Sequence, residues 1–158
     1  VYSEMVQERQ NFTPLFRAPP YALIAADDPL ARSASVCLAD LAERPMIMLD
    51  LPRTREYFTD MFAQFGLKPN VVHTTRSAEI VRALVSGGHG FSILNICPPD
   101  YRGDDTRFRA IPIRDALKAP EFGIVTLADT RQPSIVKAFV QQCVDLKQAG
   151  VFAEIVIN

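Results

Sequence analysis

Two short phrases in this 158-residue chain set hydroxyl and guanidinium side chains at the start of a helix. The first runs Asp50-Leu51-Pro52-Arg53-Thr54-Arg55-Glu56-Tyr57-Phe58. Pro52 ends an apolar strand and a helix begins within the next few residues, so Arg53, Thr54 and Arg55 fall in its first turn. A helix N-terminus is already partly positive, and cations there cost about a few tenths of a kcal/mol each unless an anion binds nearby. The chemistry expected of this turn is therefore anion binding, with the Thr54 hydroxyl and free backbone N–H groups as better contacts than either arginine. The plainer reading has both arginines facing water, paired with Asp50 or Glu56. The second phrase is Thr74-Thr75-Arg76-Ser77-Ala78-Glu79. Ser77 is a natural helix N-cap, which is reason enough for its presence. If both junctions belong to one parallel sheet, both open on the crevice at the strands' carboxyl ends, and Thr75, Arg76 and Ser77 join the candidates.

Other constellations carry less. Ser86-Gly87-Gly88-His89-Gly90 is glycine-rich, but it runs from helix into strand, whereas a phosphate cradle runs from strand into helix. It reads as a helix C-cap and tight turn. His89 and Cys97 suggest a Cys–His pair, yet no third group in the sequence orients them, and Cys97 precedes Pro98-Pro99 as a structural thiol would. No catalytic residue, metal ligand set or cofactor is expected. Cys37, Cys97 and Cys143 are an odd number, far apart, and read as buried thiols without a disulfide in a reducing cytoplasm.

The elements that must hold these residues are legible from periodicity. The chain is 48% hydrophobic and 22% charged with a net charge of −1, a globular composition without the clustered basic face of a nucleic-acid binder. It contains neither an apolar run long enough to span a membrane nor a secretory leader pattern at its start. Strands are predicted over Tyr21–Ala26, Met46–Asp50, Asn70–Thr74, Phe91–Asn95, Phe108–Ile113 and Phe122–Ala128. Helical stripes fall at Leu38, Leu41 and Ala42; at Tyr57, Phe58, Met61, Phe62 and Phe65; and at Ile80, Val81, Leu84 and Val85. A last helix, with Ile135, Phe139, Val140, Cys143 and Val144 on its stripe, starts near Pro133-Ser134 and ends at Gly150. From Met46 to Asn95 the order is strand, helix, strand, helix, strand, which implies a parallel sheet. Asp100–Thr106 reads as a polar surface loop.

Four phrases in fixed order then carry a family resemblance: Asp28-Pro29-Leu30-Ala31, Leu38-Ala39-Asp40-Leu41, Gly66-Leu67-Lys68-Pro69 and Val85 through Leu94. The chain resembles the C-terminal effector-binding domain of LysR-type transcriptional regulators. Two positions depart from the common pattern, Asp28 where many members carry His and Asn95 where many carry Pro. The resemblance implies an α/β fold like the periplasmic type 2 binding proteins, with two Rossmann-like lobes joined by a two-strand hinge and the first lobe incomplete. Residues 1–26 with 129–158 would be the remnant of the first lobe and 27–128 the second, with Asp27-Asp28-Pro29 as the hinge corner. Most of the first lobe and a winged helix-turn-helix domain would lie upstream of Val1, so DNA would be reached only through a domain outside this sequence.

The same resemblance assigns effector contacts to Ser3, Pro52, Arg53, Thr54, Arg55, Glu56, Ser77 and Asn95. It implies a small, carboxylate-bearing or otherwise anionic effector bound between lobes, a homodimer or homotetramer, and a cytoplasmic, non-enzymatic sensor. The helix from Thr54 to Phe65 and the strand Asn70–Thr74 would form a subunit interface, with Tyr57 and Met61 facing outward. A transport-type solute-binding protein of the same fold is the alternative. An enzyme would need a catalytic constellation that the sequence does not show.

Overall fold

Apolar runs without polar alternation predict strands covered on both faces, and Tyr21–Ala25, Pro45–Leu49 and Ser92–Leu94 are such strands. In the computed structural model, which describes residues 1–101 and 107–157, the chain divides into two compact units. The larger comprises Pro20–Leu117 with Ile157, the smaller Val1–Pro19 with Lys118–Val156.

The larger unit is built on five strands: β2 (Tyr21–Ala25), β3 (Pro45–Leu49), β4 (Asn70–Thr75), β5 (Ser92–Leu94) and β6 (Phe108–Pro112). β3 and β4 pair in parallel from Pro45↔Asn70 to Leu49↔Thr75. β5 joins β3 in parallel through one bridge, Met46↔Phe91, closed by Ile47 N–H to Phe91 O at 2.8 Å and Phe91 N–H to Pro45 O at 3.0 Å. β2 then runs antiparallel to both β5 and β6. The expected parallel βαβαβ core is present, and β2 and β6 turn it into a mixed sheet.

Side chains alternate across these strands with period two. Ala22, Ile24, Met46, Met48, Ile93 and Ile111 face one core, with Phe58, Met61 and Phe62 of α2 (Thr54–Ala63) and Leu38 and Leu41 of α1 (Leu38–Leu41). Tyr21, Leu23, Ile47, Leu49 and Leu94 face the other, with Val81 and Val85 of α3 (Ala78–Ser86). Helices on both faces of the sheet make a three-layer α/β/α unit, the architecture expected of a Rossmann-like lobe.

Glycines punctuate it as the sequence predicts. Gly66 at φ +69° follows α2. Gly87 caps α3, and the N–H groups of Gly87, Gly88 and His89 return to Ala83, Val85 and Leu84 O at 2.9–3.1 Å. Gly90, at φ +147°, is required for a different reason. A Cβ there would lie 2.3 Å from the Pro45 carbonyl oxygen where β3 and β5 start side by side.

The smaller unit holds a strand that the sequence reading passes over, β1 (Gln10–Arg17). It pairs antiparallel with β7 (Glu121–Leu127), from Gln10↔Leu127 to Arg17↔Glu121, with a register shift between Pro14 and Phe16. The proline and the bulge break the alternation that would have announced the strand. Phe16 stacks on Phe122 with centroids 5.1 Å apart. Helix α4 (Ser134–Gln148) lies against β1, with Val136, Val140, Cys143 and Val144 half-buried. Ile135 and Phe139, expected on that stripe, are 76% and 61% exposed.

The compact units divide at 19/20 and 117/118, with β2 hydrogen-bonded into the larger sheet between β5 and β6. Asp27-Asp28-Pro29 consequently lies inside the larger unit. There Asp28 caps a short 3-10 turn by accepting from Leu30 N–H at 2.9 Å and forms an ion pair with Arg44. The Asp100–Thr106 loop begins with a 3-10 turn at Pro99–Tyr101, and its residues 102–106 lie outside the described residues.

Candidate functional site

Because β3, β4 and β5 run parallel, their carboxyl ends share one edge of the sheet, and the two strand-to-helix junctions meet there. Asp50 N–H donates to Thr75 O at 2.8 Å, so the end of β3 is tied to the end of β4. A depression of about 370 Å³ opens at this place, lined by Asp50, Leu51, Pro52, Arg53, Arg55, Glu56 and Arg76.

The first junction turns through Arg53, whose φ of +66° is the left-handed conformation that non-glycine residues rarely adopt. Arg53 is thus the N-cap residue, one position before the helix proper. The Thr54 hydroxyl donates to Leu51 O at 2.9 Å and accepts from Leu51 N–H at 3.1 Å, while Thr54 N–H also reaches Leu51 O at 3.0 Å. A hydroxyl has a single hydrogen to donate. The Thr54 hydroxyl hydrogen thus closes its own loop, and one lone pair of the oxygen is left to accept.

The Arg55 fork is occupied too. Its Nε and Nη2 donate to the two Asp50 oxygens at 3.1 and 2.8 Å. That bidentate bond is the chief reason the Asp50 carboxyl is held below the ordinary carboxylate range, with the charges of Arg55 and Arg76 adding to it. The same pair raises Arg55 further. Of the two readings of the arginines, pairing with Asp50 holds for Arg55.

At the second junction Ser77 caps α3 as expected, its Oγ accepting from Ile80 N–H at 3.3 Å. Ser77 N–H donates to Thr75 Oγ1 at 3.2 Å. Arg76 is exposed and forms no hydrogen bond or ion pair among the described residues. It stands beside Asp50 with its donors unused, and it lines the depression although Ser77 does not. Asn95 follows β5 at the same edge and is 4% exposed. Ser3 belongs to the smaller unit, where it opens a 3-10 turn, Ser3–Met5, and accepts from Val6 N–H at 3.3 Å. The structure thus brings together Asp50–Arg53, Arg55, Glu56 and Arg76 and sets Ser77 and Asn95 along the same edge, while Ser3 belongs to the smaller unit.

One cluster at this edge was not read from the sequence. Arg82 of α3 is 8% exposed, and its Nη1 donates to Glu79 Oε1 at 2.7 Å. Its guanidinium carbon lies 4.3 Å from the Tyr101 ring centroid. The i, i+3 spacing of Glu79 and Arg82 was visible, but nothing local points to Tyr101. Among the described residues no group of three His, Cys, Asp or Glu side chains could hold a metal, and no helix is long and apolar enough to cross a membrane. Cys97 is buried, while Cys37 and Cys143 are half-buried, and all three are free thiols.

The model of the LysR substrate-binding domain matches residues 4–148. The chain belongs to that family. It is 28% identical over 155 residues to the HTH-type transcriptional regulator CysB of Burkholderia cenocepacia, covering 89% of this chain and 47% of that protein. A LysR family transcriptional regulator from Pseudomonas aeruginosa superposes with a TM-score of 0.83 at 28% identity, covering 95% of this chain and 52% of that one. The chain therefore spans about half the length of these relatives. The effector-binding domain of BenM with its effector benzoate matches with a TM-score of 0.79 over 96% of this chain and 69% of that one, and at 15% identity it shows the shared fold alone. The expected periplasmic-binding-protein-like α/β fold and the expected family are thus both found.

Proposed function

We propose that this chain is the sensor of a LysR-type transcriptional regulator and binds a small anionic metabolite at the carboxyl edge of β3, β4 and β5. The observation that carries the reading is the depression where the N-terminus of α2 meets three arginines, in a member of a substrate-binding family. Arg76 supplies the uncommitted donors, and the first-turn N–H groups of α2 at Arg55 and Glu56 supply the dipole end. Pro52, Arg53 and Thr54 shape the loop that presents them. Ser77 and Asn95 act along the same edge. A carboxylate suits a helix N-terminus beside the Arg76 guanidinium, and benzoate, the effector of the BenM domain of the same fold, is one.

In this reading the ligand binds one arrangement of the protein better than another and shifts the balance between them. The shift passes through a homodimer or homotetramer to DNA-binding domains that are not part of this sequence. The protein works in the cytoplasm, contacts no membrane and catalyses nothing. Family membership favours this regulator over a transport-type binding protein.

The test is a thermal-shift screen of the intact protein against benzoate, other small carboxylates and phosphate, with neutral and cationic compounds alongside. An anion at a hundredfold excess over its Kd contributes about 2.7 kcal/mol of stabilisation. Arg76→Gln should abolish most of that shift while leaving the unliganded melting temperature unchanged. Stabilisation by neutral or cationic compounds alone refutes the reading.

A further inference from the structure

We propose that Arg82 and Tyr101 form a positioning clamp that holds the segment after β5 and the first turn of α3 as one block. The clamp rests on the anion-binding reading only for its purpose, since its geometry stands by itself. Glu79 lies in the first turn of α3, two residues past the Ser77 cap. Its carboxylate is divided between two partners: Oε1 accepts from Arg82 Nη1 at 2.7 Å, and Oε2 accepts from the Tyr101 hydroxyl at 3.1 Å. The Arg82 guanidinium also covers the Tyr101 ring, 4.3 Å from its centroid. Three side chains thus close a ring of contacts between a helix and a loop distant in sequence.

Burial makes this arrangement cooperative. A charged group that is only 8% exposed is costly unless its charge is met, and here the carboxylate and the π face meet it together. Removing either partner leaves the guanidinium short of compensation. Tyr101 is fixed in turn by Phe108 of β6, with ring centroids 5.8 Å apart, and by its own N–H to Pro98 O at 3.0 Å. The segment's other end is pinned by the buried Tyr21, whose hydroxyl donates to Ile96 O at 3.0 Å. Residues 96–101 are therefore held at both ends. Asn95 lies at the near end, and the Ser77-capped turn lies beyond the far one. A displacement of this segment has to carry the first turn of α3 with it, and with that turn Arg76 and the capped amides.

Amide hydrogen exchange on the intact, ligand-free protein tests the clamp. Tyr101→Leu removes both the ring face and the hydroxyl. It should speed exchange about tenfold in residues 78–82 and 96–101 together, with the first turn of α2 unchanged. Tyr101→Phe keeps the stacked ring and loses only the hydrogen bond, so both segments should show a smaller rise. Arg82→Lys, which keeps the charge without the planar stack, reads the same coupling should Tyr101→Leu fail to fold. Faster exchange in 96–101 alone, or no change in either segment, overturns the clamp. Any anion that stabilises the wild-type protein should bind Tyr101→Leu about tenfold more weakly. If no anion stabilises the wild type, the anion-binding reading fails while the exchange result still decides the clamp.

Discussion

Glutamate substitutions along α2 and β4 separate what holds the larger unit together from what another subunit would cover. The sequence pattern put Tyr57 and Met61 on the outer face of α2. Met61 is instead 2% exposed, packed in the sheet's core with Phe58 and Phe62, and Tyr57 is half-buried against the same cluster. The large apolar side chains facing outward here are Phe65, just past α2, at 43% exposure and Val72 on β4 at 46%. Met61→Glu would strip a buried thioether of its contacts and force a carboxylate into an apolar core, a loss of about 4 kcal/mol or more. Such a loss is a large share of a small domain's whole stability, and the protein should unfold or precipitate.

Phe65→Glu and Val72→Glu touch only half-exposed surface, and each should move monomer stability by no more than about 0.5 kcal/mol. If that face joins a two-fold related copy, each side chain contributes about 1 kcal/mol by area. Two residues on two copies then lose about 4 kcal/mol, before the costs of ordering are subtracted. That corresponds to about a thousandfold in the dimer constant. Sedimentation velocity over a concentration series, with thermal unfolding in parallel, reads both quantities. A Phe65→Glu, Val72→Glu protein with native melting and an unchanged oligomer would falsify the interface, and a stable Met61→Glu protein would refute the packing argument.

Other expectations are narrower. Gly90→Ala should lose about 2–3 kcal/mol by chemical denaturation, because its Cβ meets the Pro45 carbonyl oxygen at 2.3 Å on a backbone that disfavours any side chain. Ser77→Ala should cost about 1 kcal/mol by the same measurement, and Ser77→Gly less, since the lost contact is an N-cap. Asp50 has a lowered pKa in the folded protein, so its contribution is present above the ordinary carboxylate range and lost as pH falls through the lowered value. The difference between wild type and Asp50→Asn should therefore be constant near neutrality and vanish in strong acid, which urea melts at several pH values would show.

Much of this was written locally, and the failures share a cause. The Ser77 cap, the glycine exits from α2 and α3 and the βαβαβ order depend on residues a few positions apart, and the structure keeps them. β1 escaped because Pro14 and its bulge disturb the alternation that marks a strand, and only the pairing with β7 reveals it. The bond between the Thr54 hydroxyl and Leu51 was not read from the sequence. It follows from the left-handed Arg53, a conformation that its residue type does not announce. Arg82 resembles any helix-surface arginine until Tyr101 arrives from beyond β5. Met61 was misplaced because a stripe of five large residues does not say which edge faces the sheet.

Along the chain, the larger unit is one nearly continuous stretch inserted between the two flanks that make up the smaller unit. This arrangement imposes an order of assembly. β1 leaves the ribosome before β7, so the pairing between them waits until β7 has followed. The inner stretch can fold meanwhile, since its sheet closes with Tyr21 opposite Pro112. Once it has folded, the strands flanking it are no longer joined by a long floppy loop but by two short leads issuing from neighbouring strands. The entropy of bringing β1 to β7 has by then been largely spent on the inner sheet. A substitution that slows the inner sheet should thus delay the pairing of β1 with β7, and the resulting defect would be aggregation during synthesis rather than weakness of the finished protein.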